Sequence, residues 1–176
     1  MNWLWINLGI AFSFLVVWFW LGPRLAGRNS LGKLLTRLIL VVILTDCIVT
    51  LIGQPFQYWQ DYSKFNEYSI IGKMLLAWHP LDFTLGLAFW VILATILIGR
   101  LSFLLSYVLF FVLFLGHALG AWSWSGPWLK NGLEFLTGSQ MKGFWATFYW
   151  EFSEYLFYIL LAFIFAIVLK RARHSK

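Results

Sequence analysis

The chain is poor in charge and almost free of cysteine. Only 11% of its 176 residues are charged, and Cys47 is its single cysteine. One cysteine excludes an intramolecular disulfide and any zinc or iron–sulfur site built from several thiolates. Soluble domains carry about 25% charged residues, so the scarcity of charge argues against a soluble fold. The chain also has no Asn-x-Ser/Thr glycosylation signal, which favours a prokaryotic inner membrane over a secretory route.

Apolar and aromatic residues take the place of charge. They are 61% and 21% of the chain, respectively, and a soluble protein of this size could not bury so much apolar surface. Five apolar runs are each long enough to cross roughly 30 Å of hydrocarbon. They predict an all-α, polytopic membrane protein. It is expected to be one transmembrane domain over 1–176, a five-transmembrane-helix bundle with helices at about 3–21, 34–53, 80–98, 101–122 and 147–169.

The ends of these runs predict how the helices are connected. No basic residue precedes the first run and Gly22-Pro23-Arg24 closes it, which predicts a membrane anchor rather than a cleaved signal peptide. Gly99-Arg100 predicts a tight turn between the third and fourth helices. The connectors at about 54–79 and 123–146 are rich in aromatic residues. They predict structure at the membrane interface, the first with a short amphipathic helix.

Lysine and arginine predict the orientation. Nine of the 13 lie in the connector after the first run, the turn at Arg100 and the C-terminal tail. The basic side of a membrane protein faces the cytoplasm, so we expect an N-out/C-in chain. This distribution also accounts for the formal net charge of +6 without a nucleic-acid partner. The predicted environment is the lipid bilayer of the cell membrane, and a membrane-protein partner is left open.

Ionisable side chains in a membrane helix are costly and usually functional. Asp82 precedes Gly99 by the same number of positions as His117 follows Arg100. A helix rises about 1.5 Å per residue, so both should lie at one height, roughly 25 Å above the turn. We therefore expect Asp82 and His117 to face each other or to share a partner.

Other polar residues are predicted near the same level. Glu151 and Glu154 are three residues apart, hence on one face of the fifth helix. Asp46 is expected somewhat deeper in the second helix. Together these levels predict a polar site in the outer leaflet. The predicted catalytic residues are Asp82, His117, Glu151 and Glu154, and the predicted binding residues are His79, Asp46, Trp78 and Trp122.

These residue types suit several kinds of site. A carboxylate can fix the tautomer of an imidazole for acid–base chemistry, and histidines with carboxylates can bind a divalent metal. The metal ligands would be His117, Asp82, His79 and Glu154. Haem is disfavoured because the membrane helices offer only two histidines, at unequal heights. One interpretation is an enzyme acting on a lipid-linked or amphipathic substrate. The alternative is a ligand-binding or transport component, or an accessory, cofactor-binding subunit of a membrane complex.

Structural roles compete with these functions. A carboxylate in the first helical turn, as expected for Asp82, favours the helix dipole without any chemistry. His117 stands among small residues, Gly116, Gly120 and Ala121, which would let another backbone approach closely. Whether the chain is an enzyme is therefore left open by its sequence.

Overall fold

The computed structural model describes residues 2–26, 30–67, 69–138, 140, 142 and 144–173. These residues are almost entirely helical and contain no strand. Five of the described helices are long and apolar enough to cross a membrane, as expected of a multi-pass membrane protein. The helices are α1 (Asn2–Leu25), α2 (Ser30–Gly53), α3 (Ile70–Trp78), α4 (Pro80–Arg100), α5 (Phe103–Thr137) and α6 (Phe144–Arg173).

The chain divides into two compact units within α5, between Ala121 and Trp122. In the first unit α2 is the central helix and packs against α1 and α4, which also pack against each other. In its most apolar stretch 56% of the residues are buried, against 17% in α1. Lipid is as apolar as leucine, so these helices associate through close packing and interhelical hydrogen bonds. The fully buried side chains of α2 include Leu35, Ile39, Ile43, Leu44 and Leu51.

Hydrogen bonds join α1 to α4 at two levels. The Asn7 side chain is fully buried; its Nδ2 donates to the Trp3 carbonyl at 2.7 Å, and its Oδ1 accepts from Thr84 Oγ1 at 2.5 Å. Farther along α1, Trp18 Nε1 donates to Thr95 Oγ1 at 3.2 Å. Hydrocarbon offers no water to these groups, so such bonds set how the two helices align.

The connector between α2 and α4 is a folded structure. It contains two short 3-10 turns, Phe56–Trp59 and Tyr62–Lys64, followed by α3. Tyr58 is completely buried and its hydroxyl donates to the Leu76 carbonyl at 3.0 Å. Burial raises the pKa of the Tyr58 phenol, which keeps this hydroxyl a donor. Tyr58 and Leu76 belong to one buried cluster with Cys47, Leu51 and Phe83, so the connector shares its core with α2 and α4.

Gln54 attaches this connector to the end of α2. Its Nε2 donates to the Asn66 carbonyl at 2.9 Å, and its Oε1 accepts from the Asn66 backbone N–H at 2.8 Å. The same Nε2 also donates to the Thr50 carbonyl at 3.1 Å. One amide side chain thus satisfies backbone groups both in α2 and 12 residues farther along the chain.

The fourth long helix differs from the sequence prediction. We expected it to end near residue 122 and a connector to follow to 146, but α5 continues to Thr137 and passes through Pro127. Proline lacks the backbone N–H that a helix interior uses, yet Pro127 lies inside α5. The helix instead ends at Thr137, and the next residue, Gly138, has a φ of +66°, which suits the glycine that follows a helix.

Contacts with α6 support this extension within the second unit. Tyr149 donates its hydroxyl hydrogen to the Gly126 carbonyl at 2.9 Å, one residue before Pro127. The Trp122 ring stacks on Phe157 with 5.5 Å between centroids. These contacts hold the part of α5 around Pro127 against α6.

Replacement of Thr84 by valine is expected to destabilise the first unit. The change keeps the shape of the side chain but leaves the buried Asn7 Oδ1 without its donor. Interhelical hydrogen bonds in membranes contribute about 0.6 kcal/mol on average, up to about 1.7 kcal/mol. Unfolding in mixed detergent and SDS should show a loss in this range for Thr84→Val. The matched control is Thr45→Val, on the exposed face of α2, and an equal loss in both variants would contradict the assignment.

Candidate functional site

The first unit contains an acid–histidine pair between two membrane helices. Nδ1 of His117 in α5 lies 2.7 Å from Oδ2 of Asp46 in α2. This distance is typical of a strong, charge-assisted hydrogen bond. The two side chains are 19% and 18% exposed, so the pair is mostly enclosed but can still be reached.

The local sequence explains how each partner is held. His117 lies on a stripe of buried α5 residues that recur every three or four positions, including Phe110, Phe114, Ala118 and Ala121. That spacing places His117 on the packed face of the helix. On α2, the buried Cys47 follows Asp46 directly and the buried Thr50 follows it by one turn. Both side chains therefore have their directions set by packing.

Gly120 makes the room that the carboxylate occupies. A Cβ atom on Gly120 would lie 2.7 Å from Asp46 Oδ1 and 3.0 Å from its Cγ. The small residues around His117 were expected to admit another backbone, but at Gly120 it is the Asp46 side chain that fills the space. At Gly116 a Cβ would meet nothing within 4 Å. The two glycines of this segment thus have different roles.

The expected Asp82–His117 pair does not form within the described chain, since His117 bonds Asp46 instead. The turn lies at residues 101–102, not at Gly99-Arg100. Counted from this turn, Asp82 lies farther along α4 than His117 lies along α5. The difference is about four residues, or about 6 Å along a helix. Asp82 lies in the first turn of α4, where its charge favours the helix dipole.

His79 has a structural role. It is the N-cap residue of α4, and its Nδ1 accepts a hydrogen bond from the Leu81 backbone N–H at 3.1 Å. Its ring packs edge-on against Trp3 at 4.5 Å and Tyr62 at 5.0 Å. This ring joins α1, the connector and α4, and it is a separate site from the Asp46–His117 pair.

The other predicted residues are distributed over both units. Trp78 ends α3 and is 65% exposed. Trp122 belongs to the second unit, where it stacks on Phe157. Glu151 and Glu154 are exposed residues of α6 in that unit, and Glu154 accepts a hydrogen bond from the Tyr158 hydroxyl at 2.9 Å. The role of these two glutamates in a site stays a prediction.

The donor set limits the metal interpretation. Among the described residues no group of three or more His, Cys, Asp and Glu side chains comes together in a way that could hold a metal ion. Protein zinc sites generally use at least three protein ligands. Asp46 and His117 offer two, and these are bonded to each other, so the pair fits acid–base chemistry better than metal binding.

The pair has the geometry of a histidine base oriented by a carboxylate. With Asp46 ionised, Nδ1–H donates to it, and the lone pair of the neutral ring is then on Nε2. That atom makes no hydrogen bond to any residue in the described part of the chain. A carboxylate in this position fixes the tautomer and stabilises the imidazolium that forms when Nε2 takes a proton. Sequence reasoning had selected both residues, but it assigned Asp46 only a secondary, binding role.

Comparison with known proteins assigns no function to the chain. No protein-family model, no curated protein and no solved structure matches the chain. The function must therefore be argued from the residues of the site.

A methyl group at Gly120 is expected to break the pair. Gly120→Ala would put its Cβ against the Asp46 carboxylate and force it away from His117, whereas Gly116→Ala enters open space one turn earlier. Overpacking of this kind costs about 1–3 kcal/mol. In histidine-labelled protein, nitrogen NMR should show the Nδ1 signal of His117 lose its hydrogen-bond shift in Gly120→Ala alone. An unchanged signal in that variant would refute the role assigned to Gly120.

Proposed function

We propose that the chain uses the Asp46–His117 pair as a proton-transfer site inside the membrane, acting on a lipid-linked or amphipathic substrate. The observation that carries this proposal is Nε2 of His117, which has no partner in the described chain and lies opposite the bond that Nδ1 makes with Asp46. Nε2 would accept a proton from a hydroxyl group or bound water of the substrate complex. The Asp46 carboxylate would stabilise the imidazolium until the proton is returned to the product.

The position of the pair supports an amphipathic substrate. Asp46 is seven residues before the end of α2 at Gly53, which is about 10 Å along the helix. A small water-soluble molecule would have to leave water to reach that depth. A lipid-linked molecule already has its chain in hydrocarbon, so only its polar group must approach the pair. The bond that reacts would therefore lie in the polar group of the substrate.

We also propose an N-out/C-in topology in a prokaryotic inner membrane, with the pair in the outer half of the bilayer. The support is the uneven distribution of lysine and arginine, together with the absence of a glycosylation signal. Of the basic residues on the proposed cytoplasmic side, Arg28 and Lys176 lie outside the described residues. In this orientation the end of α2 and the start of α4 face the outside.

Loss of either partner is expected to abolish turnover. The protein would be placed in nanodiscs with a total bacterial lipid extract, and the lipids compared by mass spectrometry over time. General acid–base catalysis contributes about 10²–10⁴-fold, so His117→Gln and Asp46→Asn should reduce product formation by factors in this range. Thr45→Ala, on the exposed side of the same helix, is the matched control.

The outcomes of this experiment separate the alternatives. A product that His117→Gln forms as fast as the wild type would refute the proton-transfer site. If neither the wild type nor any variant forms a product, but the wild type retains a lipid that His117→Gln loses, the chain is a binding component. Retention of the same lipids by all variants would exclude both functions for this pair.

Cysteine labelling tests the topology. In a Cys47→Ala background, cysteines are introduced at the exposed positions Gln60, in the connector, and Ser102, in the turn after α4. In intact cells a membrane-impermeant maleimide should modify Gln60→Cys only, while Ser102→Cys should react only after the cells are opened. The opposite pattern would invert the orientation and place the pair in the cytoplasmic half.

A further inference from the structure

Arg37 is a cation in a membrane helix, and no described residue lies against it as a counter-charge. It lies seven residues after the start of α2 at Ser30. Its guanidinium Cζ is 5.1 Å from the centroid of the Phe19 ring of α1. Its Nε is buried and forms no hydrogen bond to the described residues, and no ion pair there involves Arg37. A cation–π contact alone supplies only part of the stabilisation that such a charge loses on leaving water.

The acidic residues of the first unit are poorly placed to neutralise Arg37. The first of them, Asp46, lies nine residues farther along α2, about 13 Å away along the helix axis, and it is already bonded to His117. The others in this unit lie in the connector after α2 or at the start of α4, beyond the opposite end of α2: Asp61, Glu67 and Asp82.

The surroundings of Arg37 suit an anion that comes from the membrane. Lys33 precedes it by one turn and so lies on the same face of α2. Helical side chains lean toward the N-terminus, which for α2 is the end where headgroups lie. Arg24, in the last turn of α1, adds a third cation at this end. Arginine binds phosphate oxygens through two parallel N–H donors, and the Phe19 ring beneath would hold the guanidinium plane in place.

We propose that Arg37, together with Lys33, binds the phosphate group of an anionic phospholipid where α1 ends and α2 begins. The phosphate supplies the negative charge that the described chain lacks at this end, and it offers acceptors to the guanidinium. This site is independent of the Asp46–His117 pair and does not require either orientation of the chain in the membrane. The lipid would stabilise the contact between α1 and α2.

The full chain in dodecyl maltoside provides the test. Its melting temperature would be followed during titration with phosphatidylglycerol, with phosphatidylcholine of the same acyl chains, and with inorganic phosphate. A ligand that binds the folded state raises the melting temperature according to its concentration and affinity. We expect phosphatidylglycerol to act at lower concentration than phosphatidylcholine, and inorganic phosphate to have no comparable effect.

Variants assign the effect to Arg37. A basic residue near an anionic surface contributes about 1 kcal/mol, so Arg37→Gln should weaken the apparent affinity for phosphatidylglycerol about five-fold. Arg37→Lys keeps the charge but loses the paired donors, so its apparent affinity for phosphatidylglycerol should lie between those of the wild type and Arg37→Gln. Lys73→Gln, at an exposed position of α3, is the control that should match the wild type.

Three results would overturn the proposal. If Arg37→Gln retains the full preference for phosphatidylglycerol, the lipid binds at another position on the protein. Equal effects of phosphatidylglycerol and phosphatidylcholine would leave Arg37 with a cation–π contact only. Inorganic phosphate that reproduces the effect would indicate a site for a free anion. If Arg37→Gln does not fold, the comparison of Arg37→Lys with the wild type decides between these results.

Discussion

Polar groups within hydrocarbon have no water to bond, and the arrangement of the first unit follows from that constraint. Asn7 with Thr84 and Trp18 with Thr95 align α1 against α4. Gln54 satisfies backbone groups of the connector. The same need brings the Asp46 carboxylate to His117, through a space that Gly120 leaves open. Most polar side chains in the interior of this unit are thereby accounted for within the protein.

Two ionisable side chains in the long helices are left with a group to which the described chain gives no partner. One is Nε2 of His117, the free side of an imidazole whose other nitrogen is bonded to a carboxylate. The other is the guanidinium of Arg37 over the Phe19 ring, which forms no ion pair with the described residues. A partner from outside the protein is the common interpretation: a substrate in the first case and a lipid phosphate in the second. In each case the external partner is proposed at a place where the protein's own interactions are incomplete.

The central helix α2 contributes one residue to each of these two sites: Asp46, which bonds His117 of α5, and Arg37. Arg37 and Asp46 are nine residues apart on it, about two and a half turns. Because α2 is buried between α1 and α4, neither residue can move far without disturbing the packing of its neighbours. The helix is therefore the scaffold for a polar pair toward one end and a cationic site toward the other.

Local properties of the sequence were enough to determine the five membrane-spanning helices, the basic connector ends and the candidate acids and histidines. Hydropathy, charge and helix length depend only on neighbouring residues in the chain, so a window of sequence contains them. The position of a turn depends on more than such a window: a shift to residues 101–102 separated Asp82 from His117. Likewise α5 continues past its predicted end near residue 122 and through Pro127, where contacts with α6 hold it in the second unit.

Only the tertiary structure decided which acid His117 bonds, why Gly120 is a glycine, and that His79 caps a helix. These outcomes depend on the rotation and relative height of helices that are far apart in the chain. Rotation by one residue turns a side chain through about 100°, and nothing in a single helix reports how its neighbour is rotated. The physical reason is that pairing across a bundle is set by packing between helices, whereas membrane insertion is set by each helix on its own.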